Sequence, residues 1–309
     1  MIGTITLNPS VDICYHLDEL KEGVNRCSNY GKTAGGKGIN VSKVLKDLGC
    51  EVMALGLLGG DTGNFIEREL KKISIHTHFT KIEEATRNCI AILNHEKQIE
   101  ILESGPYIKD EESKKFIYEF SNLIKSKDIN VLVASGSIPN GLEKNYYNKL
   151  IDMANKENIR FVVDTSGQAL KEVIKGSPYL IKPNIDELQN LLDIKIQSEK
   201  ELIKAMYRLK DYNIKMIVVS LGKDGCMAMY KGQIYKVSIP EVIGKNPVGS
   251  GDAMVAGMVK EIDKNSSYEE ILRVGSTCGI LNFINEKTGA IQICQFKNYY
   301  DKIKIQIIK

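Results

Sequence analysis

Short aliphatic runs alternate with amphipathic helical stretches along most of this chain, and that alternation limits what it can fold into. Ile2–Leu7, Val52–Leu58, Asn130–Ala134, Ile159–Val163, Tyr179–Ile181 and Met216–Ser220 read as strands. Between them Gly38–Leu48, Phe65–Lys72, Glu112–Ser126, Lys144–Lys156, Asp186–Leu192 and Glu199–Tyr212 read as helices, and two more follow, one from Gly251 through Lys260 and one over Tyr268–Ile284. Strand–helix alternation predicts an α/β fold with a mostly parallel sheet covered on both faces. Two stretches break the pattern. Ile13–Lys32 and Thr77–Leu102 are strand-like, with Asn88–Leu93 and Gln98–Leu102 joined by a polar turn, and they predict a small antiparallel accessory sheet. No Pro- or Ser-rich linker and no internal repeat divides the chain, so residues 1–309 read as one domain carrying a lid.

Composition excludes several classes. A net charge of +3 spread over 309 residues leaves no basic block for nucleic acid. No apolar run is long enough to span a bilayer, and the first residues lack the pattern of a signal peptide, so a cytoplasmic protein is expected. The seven cysteines are scattered and never form a CxxC pair, which argues against a disulfide framework or zinc site and for reduced thiols. His16, His76, His78 and His95 show no triad or metal spacing and read as surface or lid residues.

The glycines matter by position. GxxxxGK(S/T) is absent, and GxGxxG does not follow the first strand, which removes the main support for a dinucleotide-binding oxidoreductase. The most informative segment is Asn246-Pro247-Val248-Gly249-Ser250-Gly251-Asp252, which runs into a helical stretch. Such a turn exposes backbone N–H groups at a helix N-terminus, where donors and dipole favour an anion. Asp252 can simply cap that helix. It can equally accept the proton of an attacking hydroxyl while the neighbouring N–H groups stabilise a transferring phosphoryl group. In Gly35-Gly36-Lys37-Gly38-Ile39-Asn40-Val41 glycines again precede a helix, with a cation and an amide alongside.

Together these two segments resemble the paired signatures of the ribokinase-like (PfkB) carbohydrate kinases. Thr6-Leu7-Asn8-Pro9-Ser10-Val11-Asp12 resembles the opening of the phosphosugar branch. Ser135-Gly136-Ser137-Ile138-Pro139, Lys182-Pro183-Asn184 with Glu187, and Ser220-Leu221-Gly222 with Gly225 follow in the family order. Within the branch, Thr86–Leu93 and Glu100–Pro106 are most similar to tagatose-6-phosphate kinases, with 1-phosphofructokinases as near relatives.

The resemblance implies a three-layer αβα sandwich with a β-sheet lid, and ATP-dependent phosphorylation of a ketohexose phosphate. Asp252 would be the catalytic base, with Gly249, Ser250 and Gly251 forming the anion hole. Asp12, Gly36 and Asn40 would bind the sugar, with Ser137 beside them. Lys37 and Arg87, with Arg26 from the lid, would hold the substrate's phosphate. Lys182, Asn184, Ser220, Gly222 and Gly225 would shape the nucleotide site, and Glu187 would organise Mg2+ largely through water. Asn285–Gly289 lies where some relatives bind a monovalent cation. The lid would pair with a second lid in a homodimer. Fructose 1-phosphate and fructose 6-phosphate stand as alternative substrates, and a non-catalytic sugar-phosphate sensor stands as an alternative of another class.

Overall fold

The computed structural model describes residues 1–94, 98–126, 128–244 and 246–308. In chain order its elements are β1 (Ile2–Thr6), β2 (Ser10–His16), β3 (Asn29–Gly35), α1 (Lys37–Asp47), β4 (Val52–Gly59), α2 (Gly60–Lys72), β5 (His76–Ile82), β6 (Arg87–Leu93), β7 (Gln98–Leu102), α3 (Asp110–Ser126) and β8 (Val131–Ser135). Then come α4 (Tyr146–Lys156), β9 (Arg160–Asp164), α5 (Gly167–Val173), β10 (Leu180–Ile181), α6 (Ile185–Leu192), α7 (Glu199–Arg208), β11 (Met216–Ser220), β12 (Cys226–Tyr230), β13 (Gln233–Ser238), α8 (Ser250–Asp263), α9 (Tyr268–Phe283), α10 (Phe296–Tyr300) and β14 (Lys304–Ile307).

The fully apolar runs become central strands because both of their faces are covered. The large sheet has the order β14-β13-β12-β11-β10-β9-β8-β1-β4-β5. Neighbours from β11 to β5 run parallel, and β12, β13 and β14 add an antiparallel edge. One face packs Val131, Val133, Val162 and Val218 against α1, α2, α8 and α9. The other packs Leu132, Phe161, Val163 and Val219 against α3 to α7. The alternation of side chains along each strand feeds both cores, and the three layers follow.

The chain leaves β1 toward β4 on one side and later returns to place β8 on the other. The crevice at the carboxyl ends of β1 and β8 is therefore a topological switch point, where open α/β sheets bind ligands.

The second sheet has the order β3-β2-β6-β7. It departs from the sequence reading in two ways. Its central pair, β2 with β6, is parallel, while β2–β3 and β6–β7 are antiparallel. The expected lid segment 77–102 also divides. His76–Ile82 pairs in parallel with β4 as the edge of the large sheet, and only β6 and β7 join the small one. Phe79 packs on one face of the large sheet while Thr80 and Ile82 are buried on the other, and this burial decides the allegiance of β5. His76 and His78 are exposed on that edge and His16 on the small sheet, whereas His95 lies outside the described residues. No helix among the described residues is long and apolar enough to cross a membrane.

Candidate active site

Helix α8 begins at the mouth of the crevice. Its N-cap, Gly249, has φ 82°, a left-handed conformation that strains any side-chain-bearing residue. No side chain caps the first turn. The N–H groups of Gly251 and Asp252 therefore have no intrahelical acceptors, while that of Ser250 makes a long bond to the Pro247 carbonyl (3.4 Å). Asn282 fixes the turn from behind. It is fully buried in α9, donates from Nδ2 to the Val248 carbonyl (2.9 Å), and accepts from the Gly289 N–H (2.9 Å). Nothing in the sequence reading singled out Asn282, although an amide in the middle of an apolar helix is a legible signal.

Asp252 is only 5% exposed. Asn40 Nδ2 donates to its Oδ2 (2.9 Å). Burial, and then the neighbouring Asp164 charge, push the Asp252 carboxyl up to about 7, although the Asn40 hydrogen bond, Lys37 and Lys182 pull the other way. Such a carboxylate can hold or release a proton near neutrality, as a general base must. It does not cap its helix through its side chain.

Asp164, at the carboxyl end of β9, escaped the sequence reading. It is almost wholly buried and lies 3.3 Å from Lys182 Nζ and 3.7 Å from Lys37 Nζ. Burial alone would raise its carboxyl, but Lys182 and Lys37 outweigh burial and hold it below the usual carboxylate range. In return Asp164 raises the Lys37 ammonium. Two cations and two carboxylates thus share one end of the sheet. The position was legible: Asp164 follows the Ile159–Val163 run as Asp12 follows Ile2–Leu7.

Lys182 also faces α8. A Cβ added at Gly251 would stand 3.2 Å from its Nζ. A phosphoryl group taken up here, with the flexible Lys182 side chain giving way, would meet a cation on one side and backbone N–H donors on the other.

Asp12 belongs to β2 rather than to a turn, because the Asn8-Pro9 corner comes earlier. Ser10 Oγ donates to its Oδ1 (2.6 Å), and burial raises the carboxyl against this bond and the Lys43 charge. Gly35 leaves room for the carboxylate, since an added Cβ would collide with it. Lys43 is a further residue the sequence reading missed. Its Nζ donates to the Ala34 carbonyl (2.9 Å), tying α1 to the base of β3. Burial lowers this ammonium, opposed by Asp12, Asp252 and Asp47.

Gly36 caps α1 at φ 105°, its backbone beside Pro9 and Thr6. Arg87 opens β6, with Nη1 on the Glu103 carbonyl (2.8 Å) and Nη2 on the Asn8 carbonyl (3.3 Å). Its Nε and Asn40 Oδ1 are buried without a protein partner, as expected of groups that await a ligand. Ser137 is exposed in the turn after β8. Arg26 lies exposed on the β2–β3 connection, in no regular element, and no described contact joins it to this cluster.

Asn184 and Glu187 form a reciprocal cap on α6. Asn184 Oδ1 accepts from the Glu187 N–H (2.7 Å), and Glu187 Oε2 accepts from the Asn184 N–H (2.9 Å). Each thus commits one oxygen to the helix. Asn184 bridges to Ser220, and Leu221 N–H bonds the Gly225 carbonyl (2.9 Å), which shapes the Ser220–Gly225 turn. A cavity of about 550 Å³ lies against Asn184, Ser220, Leu221, Asp224, Ser198 and Lys236. Among the described residues no cluster of three or more His, Cys, Asp or Glu could hold a metal. A magnesium ion here would therefore draw most of its ligands from phosphate oxygens and water, which suits that ion. Residues 285–289 pack beside the Gly249 turn: Asn246 Nδ2 donates to Thr288 Oγ1 (2.9 Å), and its Oδ1 accepts from Val248 N–H (3.0 Å).

A proton acceptor poised near neutrality, an N–H cradle and paired ammoniums at the carboxyl edge of a parallel sheet are the parts a phosphoryl-transfer enzyme needs. The model of the pfkB family of carbohydrate kinases matches residues 5–292, and the chain belongs to that family. It is 43% identical over 309 residues, 99% of each chain, to tagatose-6-phosphate kinase of Staphylococcus epidermidis. Phosphofructokinase-2 of Escherichia coli, solved in complex with potassium, superposes with a TM-score of 0.90 at 28% identity, covering 97% of this chain and 98% of that one. A possible 1-phosphofructokinase of Thermotoga maritima superposes with a TM-score of 0.89 at 25% identity, covering 100% and 99%.

Proposed function

We propose that this enzyme transfers the γ-phosphoryl group of ATP to the 1-hydroxyl of tagatose 6-phosphate, giving tagatose 1,6-bisphosphate. The observation that carries the reading is the setting of Asp252: a buried carboxylate raised to about 7, held by Asn40 at a glycine-opened helix start. The choice of sugar leans on full-length similarity to the staphylococcal tagatose-6-phosphate kinase.

In this reading the sugar lies between β2 and α1. Asp12 and Asn40 accept and donate hydrogen bonds to its hydroxyls, and Gly36 allows close approach. Arg87 and Lys37, with Ser137, hold the 6-phosphate, Arg87 as a fork and Lys37 as a point charge. Asp252 takes the proton of the attacking hydroxyl as the new P–O bond forms and the bond to the ADP oxygen breaks. The N–H groups of Ser250, Gly251 and Asp252 stabilise charge on the transferring group. Lys182, Asn184, Ser220, Gly222 and Gly225 line the nucleotide phosphates. Glu187, through its uncommitted oxygen and water, would help hold Mg2+, whose chemistry is to neutralise phosphate charge. Beside the Gly249 turn, residues 285–289 are a candidate monovalent-cation site, in keeping with the potassium complex of the E. coli relative.

A single kinase domain with a lid, a cytoplasmic location and a homodimer joined lid to lid complete the proposal. Tyr30, Ile99 and Ile101 are exposed on the small sheet, and the E. coli relative is known as a tetramer in an inhibited form. Arg26 contributes only if lid closure brings it in. A 1-phosphofructokinase is the second reading, favoured by the Thermotoga neighbour. A coupled ADP-release assay over tagatose 6-phosphate, fructose 1-phosphate, fructose 6-phosphate and the free ketohexoses tests this. The highest kcat/KM is expected with tagatose 6-phosphate. A preference for fructose 1-phosphate would replace the substrate, and binding without ADP release would replace the enzyme by a sensor.

A further inference from the structure

Asn8 sits where β1 gives way to β2, only 6% exposed. Its side chain reaches two distant segments at once. Nδ2 lies 3.1 Å from the Ser104 carbonyl and 3.1 Å from Ser137 Oγ. A carbonyl oxygen can only accept, so the atom facing Ser104 must be the amide nitrogen, and the flip of the amide is fixed. Both Nδ2 hydrogens are then committed, one to Ser104 and one to Ser137. Asn8 Oδ1 lies under Gly105, where any Cβ would collide with it, and has no hydrogen-bond partner within the protein. The backbone carbonyl of the same residue accepts from Arg87 Nη2 (3.3 Å).

A serine hydroxyl has one proton and two lone pairs. Once Ser137 Oγ accepts from Asn8, its own proton has to go elsewhere, and Ser137 is exposed at the carboxyl edge of β8. The Asn8 contact thus fixes the position of Oγ and leaves its proton free to donate to a ligand. Arg87, meanwhile, has its two Nη groups anchored on backbone carbonyls while Nε stays unpartnered. A donor hydroxyl and a tethered guanidinium, both fixed by one asparagine, suit an anion with oxygens to spare.

We infer that Asn8 is a positioning residue for the sugar's phosphate: its amide fixes the Ser137 hydroxyl with its proton left to donate, and its main-chain carbonyl holds Arg87 in place. Asn8 does not touch the substrate. This rests on the sugar-phosphate reading given above.

The test is a double-mutant cycle on Asn8 and Ser137, run with whichever ketohexose phosphate the wild-type enzyme uses best. Ser137→Ala removes an exposed hydroxyl and should raise the KM for the sugar phosphate about tenfold, the cost of a hydrogen bond to a charged group. Its kcat and its KM for ATP should stay within about threefold. Asn8→Ala should give a similar rise, and Ser137→Ala added to it should cost less than about threefold more. Asn8→Asp, which keeps the shape but turns the donor into an acceptor, should behave like Asn8→Ala or worse. An unchanged sugar KM in Ser137→Ala overturns the inference without any Asn8 variant. Fully additive losses, or equal effects on both substrates, overturn it by showing Asn8 to be merely structural. A wild-type enzyme that prefers the free sugar overturns the phosphate reading as well, and the substrate panel reveals that separately from the cycle.

Discussion

Replacing Asp252 with Asn should abolish turnover and, above neutral pH, make the protein more stable. The carboxyl is raised from 3.8 to about 7 in the folded chain. In the unfolded chain it titrates near the ordinary value. Between these values the folded state binds the proton and the unfolded state does not. Stability due to this group is therefore complete below pH ~4 and is lost as the pH rises through ~7. At ~1.4 kcal/mol per unit, a rise of this size amounts to about 4 kcal/mol of stability forgone by the ionised enzyme. An asparagine is neutral at every pH, and its oxygen can still accept from Asn40. The difference in stability between Asp252→Asn and wild type should thus grow in favour of the variant from pH 4 to 7 and level off above. In a chain of this size that is several degrees in Tm. Thermal unfolding of both proteins from pH 4 to 9 reads it directly. Parallel profiles would refute the claim that Asp252 is a strained, buried charge, and a variant less stable at pH 8 than wild type would refute it more sharply.

The kcat/KM of the wild-type enzyme should fall about tenfold per pH unit below ~7, where Asp252 is protonated; in Asp164→Asn the loss of a like charge, with Lys37 and Lys182 left to Asp252, should move that acid limb to lower pH. Lys43→Met should do the opposite, since Asp12, Asp252 and Asp47 all face that ammonium; a limb that moves down or stays fixed argues against the electrostatic account. Gly251→Ala should fold as well as wild type or better, by up to ~1 kcal/mol from helix propensity, yet lose about 10- to 100-fold in kcat because the new Cβ enters the space between Lys182 and the helix start. Melting curves and ADP release together separate the two effects.

The parallel core was legible because its strands are covered on both faces and read as unbroken aliphatic runs. The antiparallel edge was not read, although Lys231-Gly232 joins β12 to β13 with φ 49° and 80° in two adjacent residues, a turn suited to hairpins. β5 was misread because its exposed residues alternate as in a lid, whereas its pairing with β4 across the intervening α2 shows only in the tertiary structure. At the site, Asp252, Asn40, Lys37 and Lys182 were visible as motif members. Asp164 and Asn282 carried local signals that went unread, whereas Lys43 and Asn8 are marked only by partners elsewhere in the chain, Ala34 for Lys43 and Ser137 for Asn8. Arg26 shows the reverse, a cation of the right type that the fold leaves in an exposed connection.

The most direct check on the central claim is a crystal structure of the enzyme with tagatose 6-phosphate and a non-hydrolysable ATP analogue. A carboxylate oxygen of Asp252 should lie within about 2.6–3.2 Å of the acceptor hydroxyl, opposite the γ-phosphoryl group seated on the N–H groups of Ser250 and Gly251. A bound sugar whose hydroxyls all lie beyond the reach of Asp252 would contradict its assignment as the base.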